Sequence, residues 1–196
     1  MKILKIDSSA RVTASTSREL SELLAQRLHA INPKSEIISR DLSKNLSFIT
    51  EEVIEYFYTP EESLNNTQKA ILTESDALAQ ELIDSDIIII GAPMYNFTIS
   101  GLLKSYIDQV CRLGKTFITN STGFEGLLKD KKVYIIATSG GTPFGSHADF
   151  MLPYLRHALA FIGLTEVKEL TIDQLDPTKR ETAIKLLKEK ISHIYN

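Results

Sequence analysis

The chain carries one cysteine, Cys111, among its 196 residues. That excludes an internal disulfide and fits a reducing compartment. No apolar run approaches the roughly 20 residues of a membrane-spanning helix. The opening Met1-Lys2-Ile3-Leu4-Lys5-Ile6-Asp7 is too short and too soon charged for a secretory signal. A strong charge of either sign is also missing, the formal net charge being -3. Bulk electrostatics therefore argue against nucleic acid or an anionic membrane as partner. The expectation is a cytoplasmic protein folding as one domain over residues 1–196, long enough to bury a substantial core.

The missing motifs exclude whole chemistries. The loop from Ser8 to Ser17 has neither the Gly-Lys-Thr or Gly-Lys-Ser of a Walker A motif nor the GxGxxG of a dinucleotide site, and no GxSxG nucleophile elbow appears in the chain. His147 and His157 have no second ligand at metal spacing. Cys111 falls in a predicted helix away from any base and reads as a packed thiol. Asp7 ends the first strand as in receiver domains. The third strand runs into Gly91-Ala92-Pro93 rather than an acceptor aspartate, which argues against phosphorelay.

What is present is an alternation of strand and helix. Strands are predicted at Lys2 to Asp7, Glu36 to Asp41, the isoleucine run after Asp86, Lys132 to Thr138 and Glu166 to Thr171. Helices are predicted at Ser17 to Ala30, Glu51 to Tyr58, Gln68 to Ser85, Ser100 to Leu113 and Ser146 to Ile162. A last helix has Asp176 as cap and Pro177 at its first position. Thr16 with Glu19 has capping-box spacing, which starts the first helix near residue 17. Five strands separated by helices imply an α/β sandwich around a parallel sheet, in the flavodoxin-like order 2-1-3-4-5. Ligands in such a fold bind at the carboxyl edge, between strands one and three.

Three loops meet at that edge. Ile87 to Ile90 read as a strand buried on both faces. Gly91 and Pro93 should take the chain out of the sheet there, presenting Met94-Tyr95-Asn96-Phe97, a stretch of aromatic and amide groups suited to a flat heteroaromatic ring. The loop from Ser8 to Ser17 holds six hydroxyl residues in ten and leads into a helix, which suits a terminal monophosphate, with Arg11 as added charge. In Thr138-Ser139-Gly140-Gly141 the paired glycines let backbone approach a ligand closely, while Thr138 and Ser139 offer donors for a polar ring edge.

Met94-Tyr95-Asn96-Phe97 followed by Leu103-Lys104-Ser105-Tyr106-Ile107-Asp108 resembles the flavin loop and helix of the FMN-dependent NADH-azoreductase family. Phe124-Glu125-Gly126-Leu127, the Ser139 to Gly141 turn, Pro153-Tyr154-Leu155 and Phe161-Ile162-Gly163 extend the resemblance in order along nearly the whole chain. It implies a homodimer with non-covalent FMN, reducing quinones and aromatic azo compounds by ping-pong hydride transfer from NADH. It implies that Ser9, Ser15, Thr16 and Ser17 bind the phosphate. Met94, Tyr95, Asn96 and Phe97 would hold the ring, and Thr138, Ser139, Gly140 and Gly141 would meet its pyrimidine side. The flavin itself carries the hydride, so no side chain is named as catalyst, and the amides of Gly140 and Gly141 are candidates for stabilising charge near N1. Phe117 to Phe124 and Phe161 are candidates for covering the open face. Members often carry an arginine before the paired glycines and a histidine two residues after them, where this chain has Ser139 and Pro143. A flavodoxin-type one-electron carrier and a non-catalytic flavin-binding sensor remain open at this point.

Overall fold

The computed structural model describes residues 1–173 and 176–194. Its strands and helices alternate as β1 (Lys2–Asp7), α1 (Thr16–Ile31), β2 (Glu36–Asp41), α2 (Glu51–Phe57), α3 (Asn66–Asp84), β3 (Ile87–Pro93) and α4 (Gly101–Val110). There follow β4 (Phe117–Asn120), β5 (Gly123–Gly126), β6 (Lys132–Thr138), α5 (Met151–Phe161), β7 (Glu166–Ile172) and α6 (Pro177–Ser192). The sheet order is β2-β1-β3-β6-β7 with every neighbouring pair parallel. This is the expected 2-1-3-4-5 arrangement once the separate antiparallel pair β4–β5 is set aside.

The period of two in the strands divides the core. Ile3, Ile87, Ile89, Tyr134 and Ile136 pack with Leu20, Leu24, Leu28, Leu187 and Ile191 of α1 and α6. Leu4, Ile6, Ile88, Ile90, Val133 and Ile135 pack on the other side with residues of α3, α4 and α5. All seven residues of β3 are buried, as the isoleucine run predicts for a central strand.

The exit from β3 differs from expectation. The strand continues through Pro93, with Gly91, Ala92 and Pro93 paired to Ile136, Ala137 and Thr138. The Met94 N–H bonds to Thr138 O, so by alternation the Pro93 nitrogen faces the β1 side, where β1 has already ended at Asp7 opposite Gly91. No ladder donor is lost, which is why a proline is tolerated. Gly91 has no special backbone angle either. It is small because α1 passes close by: a Cβ there would lie 3.1 Å from Asp7 Oδ1 and 3.2 Å from Ser17 O.

Helix ends shift for local reasons. Ser15, not Thr16, is the N-cap of α1, and its side chain makes no capping bond. The reciprocal capping box sits instead at Asn65 and Gln68, starting α3 two residues before the predicted point. Helix α4 stops at Val110 because the Thr116 hydroxyl donates to Val110 O while accepting from Arg112 N. Helix α5 begins at Met151 rather than Ser146: Asp149 accepts from the N–H groups of Met151 and Leu152, and Pro153 then falls in the first turn, where no donor is needed.

The β4–β5 hairpin was not anticipated. It lies against the end of α5, backbone on backbone: a Cβ on Gly126 would sit 2.0 Å from Gly163 N. Gly126→Ala should therefore cost at least ~3 kcal/mol, whereas Gly101→Ala, whose Cβ meets nothing within 4 Å, should be neutral or stabilising by up to ~1 kcal/mol. Urea denaturation of the two variants beside the parent checks both signs.

Candidate active site

The three loops are tied to one another by hydrogen bonds. Ser8 donates to Gly91 O from both its N–H (3.1 Å) and its hydroxyl (2.8 Å). Ser8 O accepts in turn from the Ser100 hydroxyl, which also caps α4. The Ser9 hydroxyl lies 3.3 Å from Tyr95 Oη and accepts from Arg11 N. The third loop is joined by Met94 N to Thr138 O at 2.7 Å. All three loops therefore stand at one edge of the sheet.

Tyr95 and Thr98 exchange backbone hydrogen bonds, with Asn96 (φ 47°) and Phe97 (φ 73°) between them. Two positive φ values make this a tight turn of the mirror-image kind used in hairpins. Asparagine tolerates that region; phenylalanine does so at a cost of order 1–3 kcal/mol. The turn is held from outside by Phe150 N, which donates to Phe97 O at 3.0 Å. Both side chains are left exposed.

Facing the turn, Gly140, Gly141 and Thr142 complete an open cleft of about 350 Å³ with Met94, Asn96 and Phe97. Gly141 has φ 148°, a glycine conformation. A Cβ on Gly140 would meet no protein atom within 4 Å, so the space it leaves belongs to the cleft. Thr138 and Ser139 are not among the residues lining this cleft. Both are buried, and the Ser139 hydroxyl donates to Thr142 O and accepts from Gly141 N. They shape the loop rather than line the cleft.

In the first loop, Ser15 and Ser17 hydroxyls are 3.2 Å apart and Ser17 is buried. With no side chain capping α1, its first N–H groups lie open beside Ser15 and Thr16. Arg11 is exposed. Phe117, Phe124 and Phe161 form a cluster with centroids 4.6 to 5.9 Å apart, but it sits where the hairpin meets the end of α5. That is one length of α5, roughly 16 Å, from the cleft of the same chain.

The flavodoxin-like fold family matches residues 1–194. The chain is 45% identical over 174 residues to FMN-dependent NADH:quinone oxidoreductase 1 of Hahella chejuensis, covering 89% of this chain and 85% of that one. The chain belongs to this family. It is also 39% identical over 193 residues to FMN-dependent NADH:quinone oxidoreductase 6 of Burkholderia lata, covering 97% and 98%. Among solved structures, an azoreductase from Bacillus anthracis matches with a TM-score of 0.87 at 24% identity, covering 98% of this chain and 97% of that chain, a likeness of fold.

In this family member the first loop is held by residues that sequence reasoning missed. The Arg18 guanidinium donates to Ser9 O at 2.7 Å and to Asp41 Oδ1 at 2.6 Å. Asp41 also accepts from the Ser43 N–H and hydroxyl. The only available signal was an aspartate ending strand two, which says nothing about a partner 23 residues away. Beneath this clamp, buried Asp7 accepts from Ser21 and pairs with Lys5, which also reaches Glu22. Burial works against the Lys5 ammonium, but Glu22 and Asp7 together raise its pKa above the ordinary value. Cys111 takes no part: burial, then Asp108, pushes its thiol up to about 11. Among the described residues no group of three or more His, Cys, Asp or Glu could hold a metal.

Arg18, followed by the Ser43 bonds and against the opposing cost of burial, holds the Asp41 carboxyl well below its usual range. A depressed carboxylate stabilises the fold above the unfolded value of about 4 and loses that contribution as pH falls toward the folded value. Asp41→Asn should thus cost roughly 2 kcal/mol at pH 7 and measurably less at pH 3, where the unfolded carboxyl has taken up its proton and the folded one has not. Urea midpoints at the two pH values test this; an equal loss at both would detach the effect from ionisation.

Proposed function

We propose that this chain is an FMN-dependent NADH:quinone oxidoreductase that also reduces aromatic azo compounds, with residues 1–196 acting as one FMN-binding unit. The printed names of its relatives support the activity. The observation that carries the reading is one continuous edge. It joins an uncapped helix start among hydroxyls to a cleft with glycine on one wall and amide and aromatic groups on the other. A phosphate suits the first feature and a flat ring the second. The open space at Gly140 and the positive φ of Gly141 fit a ring edge brought close to backbone.

FMN held here would supply two-electron hydride chemistry between NADH and the quinone or azo compound, in ping-pong order. The chain binds and orients. Ser9, Ser15, Thr16 and Ser17, with the first amides of α1, would hold the phosphate. Met94, Tyr95, Asn96 and Phe97 would wall the ring, and Gly140 would offer its N–H to the pyrimidine edge. Thr138 and Ser139 set the loop that carries Gly140 and Gly141. No side chain serves as nucleophile or general base.

The cleft is open on one side, and the cluster of Phe117, Phe124 and Phe161 lies too far away to cover it in the same chain. A second copy can bring that cluster over it, so we assign a homodimer, which sedimentation should show; a monomer with full turnover would remove this assignment. Among the described residues no helix is long and apolar enough to cross a membrane, and the single free cysteine suits the cytoplasm.

The purified protein should be yellow, should bleach with NADH without oxygen and should regain colour with benzoquinone. Indifference to NADH would indicate an electron carrier or sensor instead, and failure to take up FMN would overturn the site. Gly141→Val, strained at φ 148°, should weaken FMN binding at least ~tenfold. Asn96→Leu should also lower flavin occupancy. Titration of the apoprotein measures both.

A further inference from the structure

One side chain of α6 reaches the glycine loop from behind. The inward stripe of α6 is Leu187 and Ile191, both buried, with Ile184 partly buried before them, packed on the face of the sheet that also carries α1. The position four residues earlier on the same stripe is Arg180, half-buried. An apolar residue there would simply extend the core. Arginine instead carries a cation to the carboxyl edge, where Nη1 donates to Ser139 O at 2.9 Å.

That carbonyl shares a peptide unit with the Gly140 N–H. The described chain has no cis peptide, so the unit is planar and trans and its N–H points opposite to its C=O. With the carbonyl turned to Arg180, the Gly140 N–H points away from α6. The neighbouring Gly141 N–H is already taken by the Ser139 hydroxyl. The Gly140 N–H makes no hydrogen bond among the described residues, and Gly140 lines the cleft. A cation bound to a carbonyl polarises its peptide and strengthens the N–H at the far end. The loop cannot swing away from this arrangement easily: Ser139 N bonds to Ile172 O and the Ser139 hydroxyl to Thr142 O.

We infer that Arg180 is a positioning residue that acts through the Ser139–Gly140 peptide to favour reduced FMN over oxidised FMN in the cleft. The inference rests on the reading of the cleft as the FMN ring site. Reduction adds negative charge at the pyrimidine side of the ring, so a strengthened donor there helps the reduced form more. The effect is local to one peptide and differs from a general positive potential.

The test uses the full chain loaded with FMN and three variants, Arg180→Gln, Arg180→Lys and Lys179→Gln. Dissociation constants are measured without oxygen for oxidised and dithionite-reduced FMN, together with the midpoint potential against reference dyes. Arg180→Gln should weaken reduced FMN about tenfold more than oxidised FMN, which for a two-electron couple lowers the midpoint by about 30 mV. Arg180→Lys should keep most of the parent potential. Lys179→Gln removes the same charge from an exposed neighbour and should leave the potential unchanged. Equal weakening of both redox forms by Arg180→Gln would make Arg180 a structural strut only. An equal shift in Lys179→Gln would show a diffuse charge effect. Either overturns the inference while leaving the flavin site standing. A parent protein that binds no FMN overturns the site itself.

Discussion

Gly91 O accepts two hydrogen bonds from Ser8, and the geometry of the carboxyl edge is indexed to that point. The bonds fix the first loop against β3 at the place where β1 ends. Ser100 extends the tie by capping α4 and donating to Ser8 O with one hydroxyl. The turn between β3 and α4 is thereby held at both ends. Because these groups are buried, leaving any of them unpaired would cost the full desolvation of a polar atom. The loops therefore hold one arrangement before any ligand arrives, and a site built this way loses little on ordering.

Charge is used differently on the two sides of this edge. Under α1 the groups are opposed in a chain: Glu22 to Lys5, Lys5 to Asp7, and Arg18 to Asp41. Such pairs, from the buried Lys5–Asp7 to the half-exposed Glu22, add little net stability, since desolvation offsets the attraction inside and solvent screens it outside. What they supply is register, since Arg18 can reach Ser9 O and Asp41 together only when α1 and the end of β2 stand in one relation. Under α6 the Arg180 guanidinium donates to the Ser139 carbonyl. Its field passes along the peptide toward the cleft, so here charge serves the ligand more than the fold.

The sequence made the sheet legible because its signals are local. Four isoleucines in succession and the period of leucines on α1 depend on nothing distant, and the strand order followed from alternation alone. The residues of the turn at Asn96 and Phe97 were legible as a group for the same reason. What stayed hidden depends on approach between remote segments. Gly91 read as a flexible exit, yet it is small because α1 crosses it. Ser139 read as a donor to a ligand, yet its hydroxyl is spent within its own loop. Arg18, Asp41, Asp149 and Arg180 carry no motif, and only the fold shows which backbone groups they serve. The hairpin of β4 and β5 was hidden for another reason: its strands are four residues each and mostly exposed, with no apolar alternation to count.

Phe97 shows how stability and use pull apart at a single position. Its backbone sits where glycine or asparagine would rest comfortably, and its ring is largely exposed. Selection for a sturdier protein in a laboratory population would favour those smaller residues and empty the wall of the cleft in doing so. With phenylalanine there, the backbone carries the strain and the cleft keeps an aromatic wall.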